Sequence, residues 1–304
     1  MDPITRDFYE ERRRSWRRSA FWRGFLVAGI IAGLVIAALL VRRDAPLGPH
    51  IARVEISGII LDNLPRERLL ARLADAENAR ALVVHIDSPG GAVAASEALY
   101  EGLRRIAEEK PVVAVMDGVA ASGGYLAAIG ADHIVARGNT VTGSIGVIFE
   151  YLVFSDLIER LGVDVETVRS SDLKAATSPT RPLSPAARAA EQALVNETFA
   201  WFRDLVAERR ELTAAQTGAA TDGRTFTGRM ALELGLIDAI GAEPAALAHL
   251  ESLNPGLADL PVRAWKLESR QRGLAGFVSG LLDISPNYAA QRLPGGPRLM
   301  SILY

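Results

Sequence analysis

The sequence contains no cysteine, which excludes disulfides, a thiol nucleophile and cysteine-ligated metals. Histidine is nearly as scarce: His50, His85, His133 and His249 are scattered, without metal-ligand spacing. No GxGxxG fingerprint and no P-loop occurs, so neither a metal nor a nucleotide cofactor is expected. Lysine appears only at Lys110, Lys174 and Lys266, although lysine and arginine together number 34. Residues 1–43 hold nine arginines against four acids, which leaves 25 basic and 32 acidic groups in the rest, a net charge near −7. An acidic remainder with no basic stripe argues against a nucleic-acid partner.

One long apolar run is present, Gly24 to Val41. Eighteen residues at helical rise just cross a hydrocarbon core of about 30 Å. Seven arginines precede the run and only Arg42 and Arg43 follow it, which predicts a cytoplasmic N-terminus and a translocated remainder. No Ala-x-Ala-like site follows, so the run reads as an uncleaved signal anchor. The expected organisation is an Arg-rich cytoplasmic segment 1–23, an anchor 24–41 in membrane lipid, a linker 42–50, one catalytic-type domain 51–253 and a tail 254–304.

From Ile51 onward, strand-like and helix-like stretches alternate, which predicts an α/β fold with parallel pairing. Strands are expected at Ile51–Ile56, Ala81–Ile86, Val112–Met116, His133–Ala136, Ser144–Phe149 and Val163–Val168. Helices are expected at Arg66–Arg80, Val93–Glu109, Ser122–Gly130, Ser155–Leu161, Ser184–Leu212, Phe226–Leu234 and Ala242–Leu253. The tail ends in Leu299-Met300-Ser301-Ile302-Leu303-Tyr304, too apolar for a solvated linker, and is expected to dock in a neighbouring substrate groove or on the bilayer.

Three small-residue turns follow predicted strands. Ala120-Ala121-Ser122-Gly123-Gly124 can hold a serine on a sharp turn, close to the nucleophile-elbow pattern; the same window also suits a plain helix cap. Asp87-Ser88-Pro89-Gly90-Gly91 can aim backbone N–H groups into a cavity as an oxyanion hole, or be an ordinary turn. Thr142-Gly143-Ser144-Ile145-Gly146 can orient a partner through Ser144, or be a simple β-turn. A serine nucleophile needs a base. His85 and His133 sit in predicted strands and His249 on an Ala/Leu helix, which suits structural roles, and Lys174 in a polar loop is by itself compatible with a solvated charge.

Together, Ser-Pro-Gly-Gly at 88–91, Ala-Ala-Ser-Gly-Gly-Tyr at 120–125, Thr-Gly-Ser-Ile-Gly-Val at 142–147 and Leu-Lys-Ala-Ala-Thr-Ser-Pro at 173–179 resemble the bacterial signal peptide peptidase A family, the S49 serine proteases, in the short single-domain form. Asp222-Gly223-Arg224 and Gly235-Leu236-Ile237-Asp238 resemble that family's C-terminal signature. The resemblance implies a crotonase/Clp-protease-like fold of repeated strand-strand-helix units. It implies Ser122 as nucleophile, Lys174 as general base, Ser144 holding the lysine amine, and N–H groups of Gly91 and Gly123 as the oxyanion hole. It further implies peptide substrates, above all remnant signal peptides, a homo-oligomer, and a single-pass bacterial inner-membrane protein with its catalytic domain in the periplasm. A crotonase-like acyl-CoA enzyme and an inactive protease-like scaffold are the rival readings.

A lysine with the ordinary pKa of about 10.4 is no base at pH 7; lowering it by roughly three units requires about 4 kcal/mol of selective destabilisation of the ammonium. A surface loop cannot easily supply that burial, which predicts that Lys174 is dried at a subunit interface and that Asp172 points away from it.

Overall fold

A computed structural model of the chain describes residues 22–33, 48–266 and 300–302. It forms two compact units, Met1–Gly48 and Pro49–Tyr304. In the first, residues 22–33 are helical. The anchor expected over 24–41 is covered only in part, since 34–41 lie outside the described residues. Among the described residues, no helix is long and apolar enough to cross a membrane.

The second unit begins with β1 (His50–Ser57), α1 (Leu64–Ala74), β2 (Ala79–Ser88), β3 (Gly90–Ala92), α2 (Val93–Ala107), β4 (Val112–Ala121) and α3 (Gly123–Ala128). It continues with β5 (His133–Ala136), β6 (Val141–Gly143), α4 (Ser155–Arg160), α5 (Pro185–Arg209) and α6 (Ala214–Ala220). The remaining elements are β7 (Thr225–Thr227), α7 (Gly228–Glu233), β8 (Ala239–Ile240), α8 (Glu243–Leu253), β9 (Val262–Ala264) and β10 (Met300–Ile302).

An eight-stranded sheet runs β7-β6-β4-β2-β1-β9, with β5 and β8 branching from β4. All pairings in it are parallel except β6 with β7. The apolar runs are continuous because β2 and β4 are covered on both faces. Leu82, Val84, Ile86, Val112, Ala114 and Met116 pack into the larger core with α1, α2 and α3. The alternate residues Ala81, Val83, Val113 and Val115 meet Ala246 and Leu250 of α8 on the other face. Helix starts follow local chemistry: Ser184 Oγ accepts from the Ala187 N–H at 3.2 Å with Pro185 at the first turn, and Thr213 and Gln216 form a capping box.

β4 forks. Its residues Val113–Met116 pair with β5, whereas Val119–Ala121 pair with β6. Register with β2 shifts between Ile86 and Ser88, at the same level.

The α/β class and parallel pairing are as expected, but several elements differ. The strand predicted at Ser144–Phe149 is absent; it ends at Gly143, where positive φ values at Gly143 (79°) and Ser144 (50°) turn the chain away. Val163–Val168 has strand-like composition but every residue is exposed, and it has no partner strand among the described residues. The predicted helix Phe226–Leu234 starts only after Thr227, whose hydroxyl accepts from the Met230 N–H, and Phe226 joins β7 instead. α6, β3 and β9 were not anticipated; β9 extends the sheet beyond residue 253 by pairing with β1.

Candidate active site

Ser122 stands between β4 and α3. Its backbone is in the left-handed region, φ 55° and ψ −119°, which a non-glycine residue rarely adopts without surroundings that enforce it. Here they do. Its N–H donates to the Gly143 carbonyl at 2.7 Å, its carbonyl accepts from the Leu126 N–H at 2.9 Å, and the residue is 1% exposed.

Glycines fit this turn to its neighbours. A Cβ on Gly124 would stand 2.6 Å from the Ser88 carbonyl oxygen. One on Gly123 would stand 2.3 Å from Ser96 Oγ and 3.2 Å from the Gly91 nitrogen. One on Gly91 would stand 1.9 Å from the Ile60 carbonyl oxygen. The backbone of 88–91 therefore packs directly on the Ser122 turn, and only hydrogen fits at the contacts. The second segment is itself pinned: Ser88 Oγ accepts from the Gly90 N–H at 3.1 Å, Ile60 N–H donates to Gly90 O at 2.8 Å, and Ala92 N–H donates to Ile60 O at 2.9 Å. Ile60 and its role were not found from sequence; the triplet Ile59-Ile60-Leu61 was the available signal.

The third turn lies alongside. Thr142 Oγ1 donates to Ala120 O at 2.7 Å, and the Ser144 N–H donates to Arg224 O at 2.8 Å. Thus Ser122, Gly123, Gly91 and the Gly143-Ser144 turn are brought together by backbone contacts around the end of β4.

Lys174 is placed differently. It sits in an exposed turn held by its own backbone, with Lys174 N–H donating to Ser171 O at 3.2 Å and Arg181 donating to Ala175 O at 2.9 Å. Among the described residues its ammonium has no hydrogen bond or ion pair, and none joins it to Ser144. Asp172 beside it is exposed.

The histidines are all engaged elsewhere. His85 lies between Asp117 (2.9 Å) and Glu243 (2.7 Å), and Glu243 also pairs with Arg53. Burial opposes ionisation of Glu243, but hydrogen bonds from Arg53 and His85 outweigh it and hold its carboxyl below the ordinary range. His133 and His249 stack with ring centroids 3.6 Å apart, and His50 accepts from Trp265 Nε1 at 2.9 Å. No group of three or more ligating side chains suited to a metal occurs among the described residues. A cavity of about 530 Å³ opens where β3 ends at Ala92, with Asp62, Glu97, Glu197 and Trp201 in its lining. Burial, then Glu101 and Glu197, push the Glu97 carboxyl up.

The chain matches the family model of Peptidase family S49 over residues 104–255, and that of Clp protease over residues 60–138. It is 39% identical over 215 residues to a Synechocystis sp. protein named as a protease, covering 69% of this chain and 77% of that one. It is 30% identical over 246 residues to an Enterococcus faecium protein named as signal peptide peptidase SppA, covering 76% and 70%. Against Protease 4 of Haemophilus influenzae the identity is 31% over 255 residues, 80% of this chain but 41% of the relative. A solved structure of a Listeria monocytogenes ClpP1 mutant compares with a TM-score of 0.42 at 19% identity, covering 62% of this chain and 91% of that one. With half of its length inside the first family model and two such relatives matched over most of theirs, this chain belongs to peptidase family S49.

Proposed function

We propose that this protein is a membrane-anchored serine endopeptidase that uses a Ser122/Lys174 dyad to degrade apolar peptides, remnant signal peptides foremost. The observation that carries the reading is the left-handed Ser122 turn, wedged against Gly91 through glycines that exclude any side chain. In this reading Ser122 Oγ bonds to the peptide carbonyl carbon and its proton passes to Lys174 Nζ. The oxyanion rests on the N–H groups of Gly91 and Gly123. The C–N bond then breaks as Lys174 returns the proton to the leaving amine. Water, deprotonated by the same lysine, hydrolyses the acyl ester and frees Ser122. Ser144 positions the lysine amine.

A homo-oligomer completes the site. No residue from Gly146 to Ala186 is buried, and Leu152, Leu157, Leu161 and Val168 are all exposed along it. An apolar surface of that kind, with the lysine in its midst, suits contact with a second copy that withdraws Lys174 from water. The run 24–41, basic on its N-terminal side, supplies the anchor in the inner membrane and leaves the catalytic unit outside the cytoplasm.

The test is hydrolysis of an unfolded apolar peptide by the full chain in detergent, across pH 5 to 10, beside Ser122→Ala and Lys174→Ala. Loss of hydrolysis in either variant, with wild-type activity rising through one basic step well below the ordinary lysine pKa of about 10.4, is the expected result. Undiminished hydrolysis in both variants would place the nucleophile elsewhere. A wild type that oligomerises but hydrolyses nothing would favour an inactive scaffold.

A further inference from the structure

Ser96 lies near the start of α2, in the run Val93-Ala94-Ala95-Ser96, and is fully buried. Serine is the costlier choice there. It has a lower helix propensity than its alanine neighbours, and a buried hydroxyl has to be given a partner. The partner is the carbonyl of Ala92, the N-cap of the helix, to which Ser96 Oγ donates at 3.0 Å. That bond takes the hydroxyl hydrogen, so Ser96 turns oxygen lone pairs toward its other neighbours. Outside its own helix the oxygen meets Gly123. The point where a Gly123 Cβ would stand is 2.3 Å from Ser96 Oγ and 3.2 Å from the Gly91 nitrogen. One side of Gly123 therefore faces both the Ser96 hydroxyl and the Gly91 amide.

We infer that Ser96 is a positioning residue, whose hydroxyl is a spacer that sets the gap between the Gly91 and Gly123 amides. The inference rests on the protease reading, in which those two amides hold the oxyanion. They come from different elements, β3 and the start of α3, so aiming both at one oxygen requires a contact that fixes one segment against the other. Ser96 makes that contact. Its oxygen is anchored on Ala92, the residue after Gly91, and abuts Gly123, the residue after the nucleophile. Ser96 does not itself donate to the oxyanion, because its hydrogen is already on the Ala92 carbonyl. An alanine in its place would open a gap at the contact and let the two amides drift. Misplacement by about 1 Å can cost about a hundredfold in rate, and a smaller drift correspondingly less.

The experiment compares the full chain with its Ser96→Ala variant in detergent. It reads kcat and KM for an apolar peptide, the pH profile of kcat, inhibition by a peptidyl boronic acid of the same apolar sequence, and the urea midpoint. The boronate adduct on Ser122 places a charged oxygen where the reaction develops one, which the unreacted peptide does not. We expect Ser96→Ala to lower kcat about tenfold at unchanged KM and to weaken the boronate by a similar factor, less than the hundredfold or more for loss of a whole oxyanion donor. The basic step of the pH profile should stay in place, because the lysine is untouched. The urea midpoint should not fall, since alanine is the better helix former and the N-cap carbonyl keeps its first helical bond. Unchanged kcat and boronate affinity in Ser96→Ala overturns the inference and leaves the protease reading standing. A fall in kcat that comes with a lower urea midpoint or an equally raised KM also overturns it, as a general loosening of the fold. A displaced basic step overturns it by assigning Ser96 to the lysine instead. An unaltered chain that neither hydrolyses the peptide nor binds the boronate overturns the protease reading, and the inference with it.

Discussion

Every residue from Ala120 to Ala131 is buried, and none from Gly146 to Ala186 is. The first stretch carries Ser122 and the second Lys174, so the two partners of the proposed dyad stand in opposite physical settings. Around Ser122, one chain supplies all the constraint: backbone hydrogen bonds, glycine contacts and a closed apolar core. Around Lys174, one chain supplies a turn and little else. A serine can be strained into place by its own fold, because strain is local. A lysine is made a base at neutral pH by burial or by a neighbouring positive charge, and the 146–186 stretch is not buried by the described residues. In the proposed mechanism the difference separates what a single fold supplies from what a second copy would have to supply.

The comparison can be broken at either end. The largest effect is expected at the buried end. Gly91→Ala forces a Cβ to 1.9 Å from the Ile60 carbonyl, a clash with backbone that no rotamer relieves. Destabilisation of about 3 kcal/mol and loss of hydrolysis should follow, read by urea unfolding and peptide assay. At the exposed end, Leu157→Asp with Leu161→Asp should leave the unfolding free energy within about 0.5 kcal/mol. It should instead dissociate the oligomer in analytical ultracentrifugation and cut kcat/KM by about a hundredfold, the lower range for loss of a general base. If the pair lowers unfolding stability and spares activity, the lobe is structural and the contrast fails. Ser144→Ala, at the junction of the two stretches, should lower kcat about tenfold and move the basic step of the pH profile upward with little change in KM; an altered KM alone would mean Ser144 contacts substrate rather than the lysine.

The smallest effect concerns the face of the sheet away from the site. His133 is stacked on His249, with Asp238 at 3.8 Å and Arg210 bonded to that same carboxylate. Burial, then the neighbouring His249, hold the His133 pKa below its ordinary value. The folded protein thus resists a proton that the unfolded chain accepts. Stability is complete above the unfolded histidine value of about 6.5 and is lost as pH falls below it. The urea midpoint should drop between pH 7.5 and 5.5, and His249→Gln should shrink that drop. An unchanged slope in the variant would remove His249 as a cause.

What the sequence disclosed and what it hid follow one rule. Ala81–Ile86 and Val112–Met116 were legible as buried strands because their side chains are apolar without interruption and both faces are covered. The Ser122 turn was legible because small residues on both sides announce close backbone approach. β3 was not, because glycine gives no side-chain pattern and the strand exists only through its bonds to Ile60 and β10. Val163–Val168 was misread for the complementary reason. Valine reports a preference for extended backbone but says nothing of whether a neighbouring strand is there to receive it. The small-residue turns around Ser122 could be named before their geometry was known; the setting of Lys174 could not, since exposure of a loop belongs to the assembly as much as to the chain.

The fork in β4 has a consequence for compliance. Val113–Met116 lie in the middle of the sheet between β2 and β5, whereas Val119–Ala121, which lead to Ser122, continue into a tongue made with the three-residue strands β6 and β7. That tongue is tied back to β2, where Ala120 pairs with Ser88, and to the 88–91 backbone through the Gly123 and Gly124 contacts. The position of the reacting atom is thereby coupled to the integrity of the fold, as a keystone is to the arch on either side of it.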